Sequence, residues 1–585
     1  MHKNNPDLKI VCHHSYLEVA RHIGYPVYQA ISEKSWAAEC VYAALLYPDR
    51  TVEIGKRFRY LVKGVPELRH LEFSAFIDEV AEISNGIIRG INWSEFRLIG
   101  FSVCLCQLAS TRYFIQEIRK ITTDVPIVVG GSLITGMTEP DVRQMFPGTD
   151  YIIQGEGELP LERLVHGITE DRMGLENGPM TDSRPCRSPS ISQGQVEDLG
   201  ALPVPDFLDY FCLLDGFPPD RKFFPTLPVE FSRGCWWHRL DSEGRPHGCA
   251  FCNLNAQWHG YRKKQPSQVV HEIDALTRHH RTLSIAVMDN VLPARGTADY
   301  FSGISSLEKE LHIFCELRAK ASKKILEQMG SAGVDNVQVG IEALSSRLLK
   351  KLNKGTTAIQ NIQMMRDLEE LRIKNGANLM IQFPGSDGAD VEETLRHLPF
   401  VLPFYPLNIV RFQLGMGSPV ALNPEAFGIV SHGNHPNYSY LFPSSVCSTV
   451  RFPQMAYRGN IAYQKTLWRP VLKEVGLWGK TYRNLHKEPG WDPILSYMHG
   501  RTFILIRQRL NHGRTNTHRL EGMSARIYLF CTQNRSLRRI KRDFDAISLE
   551  KIVAFLHMMV NKKLMFHEDD RYLSLAVSRR RGGPA

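Results

Sequence analysis

Short apolar runs alternate with stretches of helical periodicity along most of this chain. In the first part, LKIVC (8–12), FRLIGFSVCL (96–105), VPIVVGG (125–131) and DYIIQGEGE (150–158) predict strands. STRYFIQEIRKI (110–121), with Ser110 or Thr111 as its start signal, and LPLERLVHGI (159–168) predict helices. Strands alternating with helices imply a parallel sheet, and such sheets bind ligands beyond the carboxyl ends of their strands. Residues 1–167 are therefore expected to form an α/β domain. Gly100, Gly130, Gly131, Gly155 and Gly157 fall at or near those ends. Glycine there either lets a backbone approach a bulky ligand or simply closes a tight turn.

Residues 168–220 are rich in Pro, Ser, Gly and Asp, and DSRPCRSPSISQGQ (182–195) reads as a linker. The alternation then resumes over 221–415. LPVEFS (227–232), LSIAVMD (283–289), IFCELR (313–318), VDNVQVGIE (334–342), NLMIQF (378–383) and LNIVRFQL (407–414) predict strands. SQVVHEIDALTRHH (267–280) and KKILEQMGSAG (323–333) are among the helices between them. Residues 416–585 form a smaller α+β part. VALNPEAFGIVSHGNHPNYSYLFP (420–443) reads as mostly loop. AISLEKIVAFLHMMVNKKLMFHEDDRYLSLAV (546–577) reads as a helix and a hairpin, a winged-helix-like cap that packs on its neighbour or touches a substrate.

The 585 residues suggest several domains, and their 43% hydrophobic and 23% charged content suits a globular protein. No apolar run predicts a membrane span and no apolar segment predicts a secretory signal. Twelve cysteines are too sparse for a disulfide scaffold, so a reducing, cytoplasmic setting is expected. The net charge of +10 is concentrated at Arg535, Arg538, Arg539, Lys541 and Arg542 and at Arg579, Arg580 and Arg581. These residues suit a solvated surface or an attractive field for an acidic peptide; no motif points to nucleic acid.

Three cysteines carry the chemistry: Cys235, Cys249 and Cys252, the last two as a C-x-x-C pair. Three thiolates without a nearby fourth suit a [4Fe–4S] cluster with one open iron. His238 and His247 lie in the same loop, so a Cys3His zinc site satisfies the ligand count equally well. Spacing alone leaves both open.

The ordered set PDFLDYF (205–211), SRGCWW (232–237), CAFCNLN (249–255), MDN (288–290), VQVGIEALSSRLLKKLNKG (337–355) and QFPG (382–385) resembles the radical S-adenosylmethionine (SAM) enzymes. More narrowly, it resembles ribosomal-peptide (RiPP) maturation radical SAM proteins with a cobalamin-binding-type N-terminal domain. GFSVCLCQ (100–107), VVGGS (128–132) and GEGE (155–158) match that domain. One departure is the thirteen-residue insert between Cys235 and Cys249.

The resemblance implies a Rossmann-like cobalamin domain and a partial (β/α)6 barrel, with the active site at the C-terminal strand ends. It implies a [4Fe–4S] cluster on Cys235, Cys249 and Cys252. SAM contacts are implied at Glu342 and Gly340 of GIE, at Arg318 for the SAM carboxylate, and at Asn290, Gly385 and Phe251. Trp236, Trp237 and Phe251 would exclude water and cover the adenine. Cobalamin contacts are implied at Gly100, Ser102, Gln107, Gly130, Gly131, Ser132, Gly155, Glu156, Gly157 and Glu158. No D-x-H-x-x-G motif is present, so no histidine is indicated as a cobalt ligand, and His13 and His14 are weak candidates. The implied reaction is C-methylation of a precursor peptide, with an external electron donor and a separate leader-binding protein as further partners. Peptide cyclisation or oxidation, and a non-catalytic iron–sulfur partner protein, are the alternatives.

Overall fold

The chain described by this computed structural model comprises residues 7–169, 194–240, 246–254, 260–486, 492–510 and 514–579. LKIVC does not form a strand. Ile10 and Val11 are exposed, and the Cys12 amide donates to Asp209 Oδ2 at 2.9 Å, so the segment is pinned to a helix instead of a sheet edge. Five α-helices, from Ser15–Ile23 to Phe73–Arg89, precede the first strand. The predicted strands then appear in shortened form as β1 (Ile99–Ser102), β2 (Ile127–Gly130) and β3 (Tyr151–Ile152), all parallel in the order β1-β2-β3. The helix after β1 spans Leu108–Arg119 and starts before the expected Ser110. Its first amides are held by Glu39, a buried carboxylate from helix Ser35–Leu46. Most of the linker proline-rich run lies outside the described residues.

The second unit contains the six expected strands: β4 (Leu227–Val229) and, after four short strands of the cluster loop, β9 (Ser284–Val287), β10 (His312–Arg318), β11 (Val334–Gly340), β13 (Asn378–Ile381) and β14 (Asn408–Arg411). The short strands of the loop are β5 (Ser232–Arg233), β6 (Arg239–Leu240), β7 (Pro246–His247) and, after the cysteines, β8 (Arg262–Lys263). Between β11 and β13 lies the two-residue β12 (Lys374–Asn375). Parallel pairing runs β4-β9-β10-β11, and a bridge from Glu342 to Leu379 carries it on to β13 and β14. Helices such as Pro266–His280 and Lys323–Ser331 cover one face, and Val287, Ile313, Val337 and Leu379 bury against them. Ser322 caps the second of these helices by accepting from the Ile325 amide.

Residues 420–443 are more ordered than the loop expected. β15 (Leu414–Gly415), β16 (Ile429–Asn434) and β17 (Gln454–Gly459) form an antiparallel sheet. The chain that follows β16 reaches back to the N-terminal helices: His435 stacks on Trp36 at 4.8 Å, and the Arg451 amide donates to Asp141 Oδ1 at 2.9 Å. The winged-helix reading of the C-terminus is realised by helix Leu549–Asn561 and the hairpin Met565–Glu568 with Arg571–Ser574. It packs on the barrel, sharing one apolar core with it, and Glu568 accepts from the Ile359 amide at 2.8 Å and from Ser346.

Candidate functional site

The chain leaving β4 turns at once into β5, which pairs with β8. Asp289, at the C-terminal end of β9, fixes this turn: its carboxylate accepts from the Phe231 amide at 2.8 Å and from the Ser232 hydroxyl. Burial pushes the Asp289 carboxyl up to about 7, against the pull of those donors. Cys235 follows directly. The thirteen-residue insert folds out and back as the antiparallel pair β6–β7, Arg239 facing His247, with its tip outside the described residues. An insert closed in this way returns the chain to its starting point, so Cys249 comes back beside Cys235 despite the long spacing. The His238 amide bonds the Cys235 carbonyl at 2.9 Å, and the Cys252 amide bonds the Cys249 carbonyl at 3.1 Å.

The three thiols share one electrostatic neighbourhood. Burial, with Cys249 and Cys235 adding to it, pushes the Cys252 thiol up to about 11. Among the described residues no three His, Cys, Asp or Glu side chains converge tightly enough to hold a single metal ion.

Arg318, at the end of β10, lies beside the cysteines. Its Nη1 is 3.8 Å from Cys249 Sγ, its other terminal nitrogen donates to the Lys354 carbonyl, and its guanidinium lies 4.5 Å from the Trp237 ring and 5.5 Å from Trp236. Among the described residues it makes no ion pair, and its Nε is buried without a hydrogen-bond partner. A buried guanidinium with an unmatched donor next to a cluster cysteine fits the carboxylate of SAM. Glu342, held at a positive φ of 58° after β11, faces the same space and accepts from Lys354 Nζ at 3.1 Å. Gly340 is glycine because a Cβ there would lie 2.6 Å from Lys354 Nζ. Phe251 lies under the same ammonium, 5.5 Å from ring centroid to nitrogen. Burial opposes the Lys354 charge, but Glu342 and Cys249 outweigh it and raise the ammonium's pKa.

Other expected contacts are placed differently. The Trp236 and Trp237 indoles donate to the carbonyls of Leu292 and Asn353, so they support the loop and Arg318 and do not lie open as a cover. Gly385 makes room for Phe383 and Phe427, at 3.0 and 3.3 Å from a built Cβ. Asn290 is half-buried at the end of β9.

In the N-terminal sheet the carboxyl ends of β1, β2 and β3 bring the expected residues together. Gly155, at a φ of 86°, and Gly157 have nothing within 4 Å of a built Cβ, while Gly100 and Ser102 are exposed beside Leu105. This open, partly apolar strand end fits a macrocycle approaching closely. Gly131 does not belong to that surface: its Cβ would lie 2.5 Å from the Val103 amide, so the glycine serves the packing of two loops. Gly130 likewise faces the Ile153 carbonyl at 3.2 Å. Ser132 is exposed at the same end, and Gln107 is occupied by accepting from the Cys104 amide at 2.9 Å. His13 sits near Trp93 and Phe96, on the chain entering β1 and not on the chain leaving it.

Glu156 and Glu158 are spent on the barrel. Glu156 accepts from Arg233 at 3.0 Å, from Arg262 and from the Val196 amide at 2.8 Å; Glu158 accepts from Arg233 at 2.6 Å. Burial raises the Glu156 pKa, but the two guanidiniums and the amide outweigh it and hold the carboxyl below its ordinary range. Both carboxylates, expected at cobalamin, tie the chain after β3 to the strands on either side of the cysteines.

Known families decide the rest. The model of the radical SAM superfamily matches residues 241–398, and that of the B12 binding domain matches residues 75–165. The chain contains a radical SAM domain and a B12 binding domain. Its cofactors are a [4Fe–4S] cluster, SAM and cobalamin. The superfamily match begins inside the insert, so it includes Cys249 and Cys252 and starts just after Cys235. This radical SAM chain is 24% identical over 303 residues to an uncharacterized methyltransferase of Pyrococcus horikoshii, covering 48% of the chain and 60% of the relative. It is also 24% identical over 297 residues to an anaerobic magnesium-protoporphyrin IX monomethyl ester cyclase of Rubrivivax gelatinosus, covering 48% and 50%. The chain thus spans about half the length of these curated relatives. The cobalamin-dependent SAM radical enzyme OxsB with aqua-cobalamin bound has the same fold, with a TM-score of 0.51, 19% identity, and coverage of 70% of this chain and 62% of that one. No helix among the described residues is long and apolar enough to cross a membrane.

Proposed function

We propose that this protein is a cobalamin-dependent radical SAM C-methyltransferase, acting on an unactivated carbon of a ribosomally made precursor peptide. The observation that carries the reading is the Glu156–Arg233–Arg262 contact, which holds the open end of the B12-type sheet against the strand leading to Cys235. One substrate carbon could then face both cofactors. When bound, the cluster and SAM supply a carbon-centred radical and cobalamin supplies a transferable methyl group. Cys235, Cys249 and Cys252 would hold the cluster, Arg318 the SAM carboxylate, Glu342 a SAM hydroxyl or ammonium, and the loops at Ser102, Gly155 and Gly157 the corrin. The domains and the name of the methyltransferase relative support methyl transfer. The peptide substrate rests on the motif set, and a cytoplasmic setting, an external electron donor and a leader-binding protein complete the reading.

With SAM, a low-potential reductant, methylcobalamin and the precursor, the peptide should gain methyl groups while 5′-deoxyadenosine and S-adenosylhomocysteine accumulate together. Deoxyadenosine alone, with loss of hydrogen from the peptide, would favour ring formation without methyl transfer. The cyclase relatives, matched over half of their length, favour that second reading.

A further inference from the structure

Four consecutive residues, Leu352 to Gly355, hold the cluster loop and Arg318. The Leu352 carbonyl accepts from the Ala250 amide inside the C-x-x-C pair at 2.9 Å. Asn353 accepts from the Trp237 indole at 2.8 Å and donates through Nδ2 to the Gly248 carbonyl at 2.8 Å. The Lys354 carbonyl accepts from Arg318. Gly355 lies under Trp237, with the indole 2.3 Å from a built Cβ. Asn353 and Gly355 both have positive φ, 49° and 68°, so the backbone reverses on either side of Lys354. The lysine side chain is thereby driven inward, where it is only 6% exposed.

A buried ammonium needs a partner. Lys354 has Glu342 at 3.1 Å and the Phe251 ring at 5.5 Å, and Arg318, bound to its carbonyl, brings a second cation to Cys249 Sγ. Glu342 balances one of the two positive charges; the other acidic groups of this space are the three cysteine thiols and Glu316, whose carboxyl burial and Glu342 push up to about 7 although Lys354 pulls it down. A reduced cluster carries one more negative charge than an oxidised one, and fixed cations near its sulfurs favour the reduced form.

We propose that Lys354 is a positioning residue that serves as the fixed counter-charge of the cluster, and that residues 352–355 are the clamp that keeps it there. The inference rests on Cys235, Cys249 and Cys252 being the ligands. The test is an EPR-monitored redox titration of anaerobically reconstituted full-length protein, without substrate. Wild type and the variants K354M and K354R are compared, with iron and sulfide measured in each. K354M should shift the cluster midpoint to a more negative potential, and K354R should restore it towards wild type. Loss of the cluster in K354M with its retention in K354R would support the same charge requirement. An unchanged midpoint in K354M, or cluster loss in both variants, would overturn the proposal. A wild-type protein that assembles no cluster, or a triple Ala variant of the cysteines that still does, would instead sink the ligand assignment.

Discussion

Single buried groups set the strongest local constraints. Glu39 is 5% exposed and accepts from the Leu108 and Ala109 amides at 2.9 and 2.8 Å. Burial raises its carboxyl from an ordinary 4.5 to about 7, although the two amides pull the other way. A carboxyl with a raised folded pKa contributes stability that is complete below the unfolded value and is lost as pH rises through the folded one. The N-terminal unit should therefore melt lower at pH 8 than at pH 5.5, with a loss on the order of 2 kcal/mol. Glu39→Gln should flatten that dependence; parallel calorimetric curves for the two proteins would refute the assignment. Gly355 offers a second residue-scale test. Gly355→Ala must accept both a positive φ and a Trp237 ring 2.3 Å away. It should destabilise the loop by about 1–3 kcal/mol and lower iron retention during gel filtration. Wild-type iron content would show that the indole yields freely.

At the scale of elements, the barrel was legible and the clamp was not. β9, β10, β11 and β13 bury Val287, Ile313, Val337 and Leu379 under helices, which leaves apolar runs between turn signals. The N-terminal helices weakened the strand reading of residues 1–167, because a run such as LKIVC has strand composition but no neighbour to pair with. The cysteines and Arg318 were readable as residue types at strand ends. Lys354 was not, because its role arises from backbone carbonyls and from Gly340 across the sheet. The Asn-Lys-Gly sequence closing a helix was its one local signal. Glu156 and Glu158 read only as cofactor residues because they stand among glycines, and their ion pairs were not legible because Arg233 and Arg262 lie 75 to 106 residues away. Asp289 belongs to this scale too, since it joins the end of β9 to the turn before β5. Asp289→Ala leaves the buried Phe231 amide and Ser232 hydroxyl without their acceptor, a cost of about 1–3 kcal/mol for each. The variant should bind less iron than wild type after equal reconstitution, and equal loading would show that the turn holds without it.

For the whole molecule, the question is how two cofactor-binding units face one substrate. The described contacts between them include the buried Glu156 carboxylate, whose side chain is 2% exposed, between Arg233 at 10% and Arg262 at 8%. Removing one member strands the others in a low-dielectric setting, which costs more than the pair contributes. Glu156→Gln keeps the shape and two acceptor contacts but removes the charge that balances two guanidiniums. A double-mutant cycle with Arg262→Gln should give a coupling of about 1–3 kcal/mol in thermal stability. The functional consequence follows from geometry. Each cofactor would be held by the residues of its own unit, so Glu156→Gln should leave cobalamin absorbance and iron content near wild type. In the proposed reaction the two halves must align, so the yield of S-adenosylhomocysteine per 5′-deoxyadenosine should fall. A fall in both products in equal proportion would mean that the carboxylate supports folding alone, and an unchanged ratio with unchanged yield would mean that other contacts align the two halves.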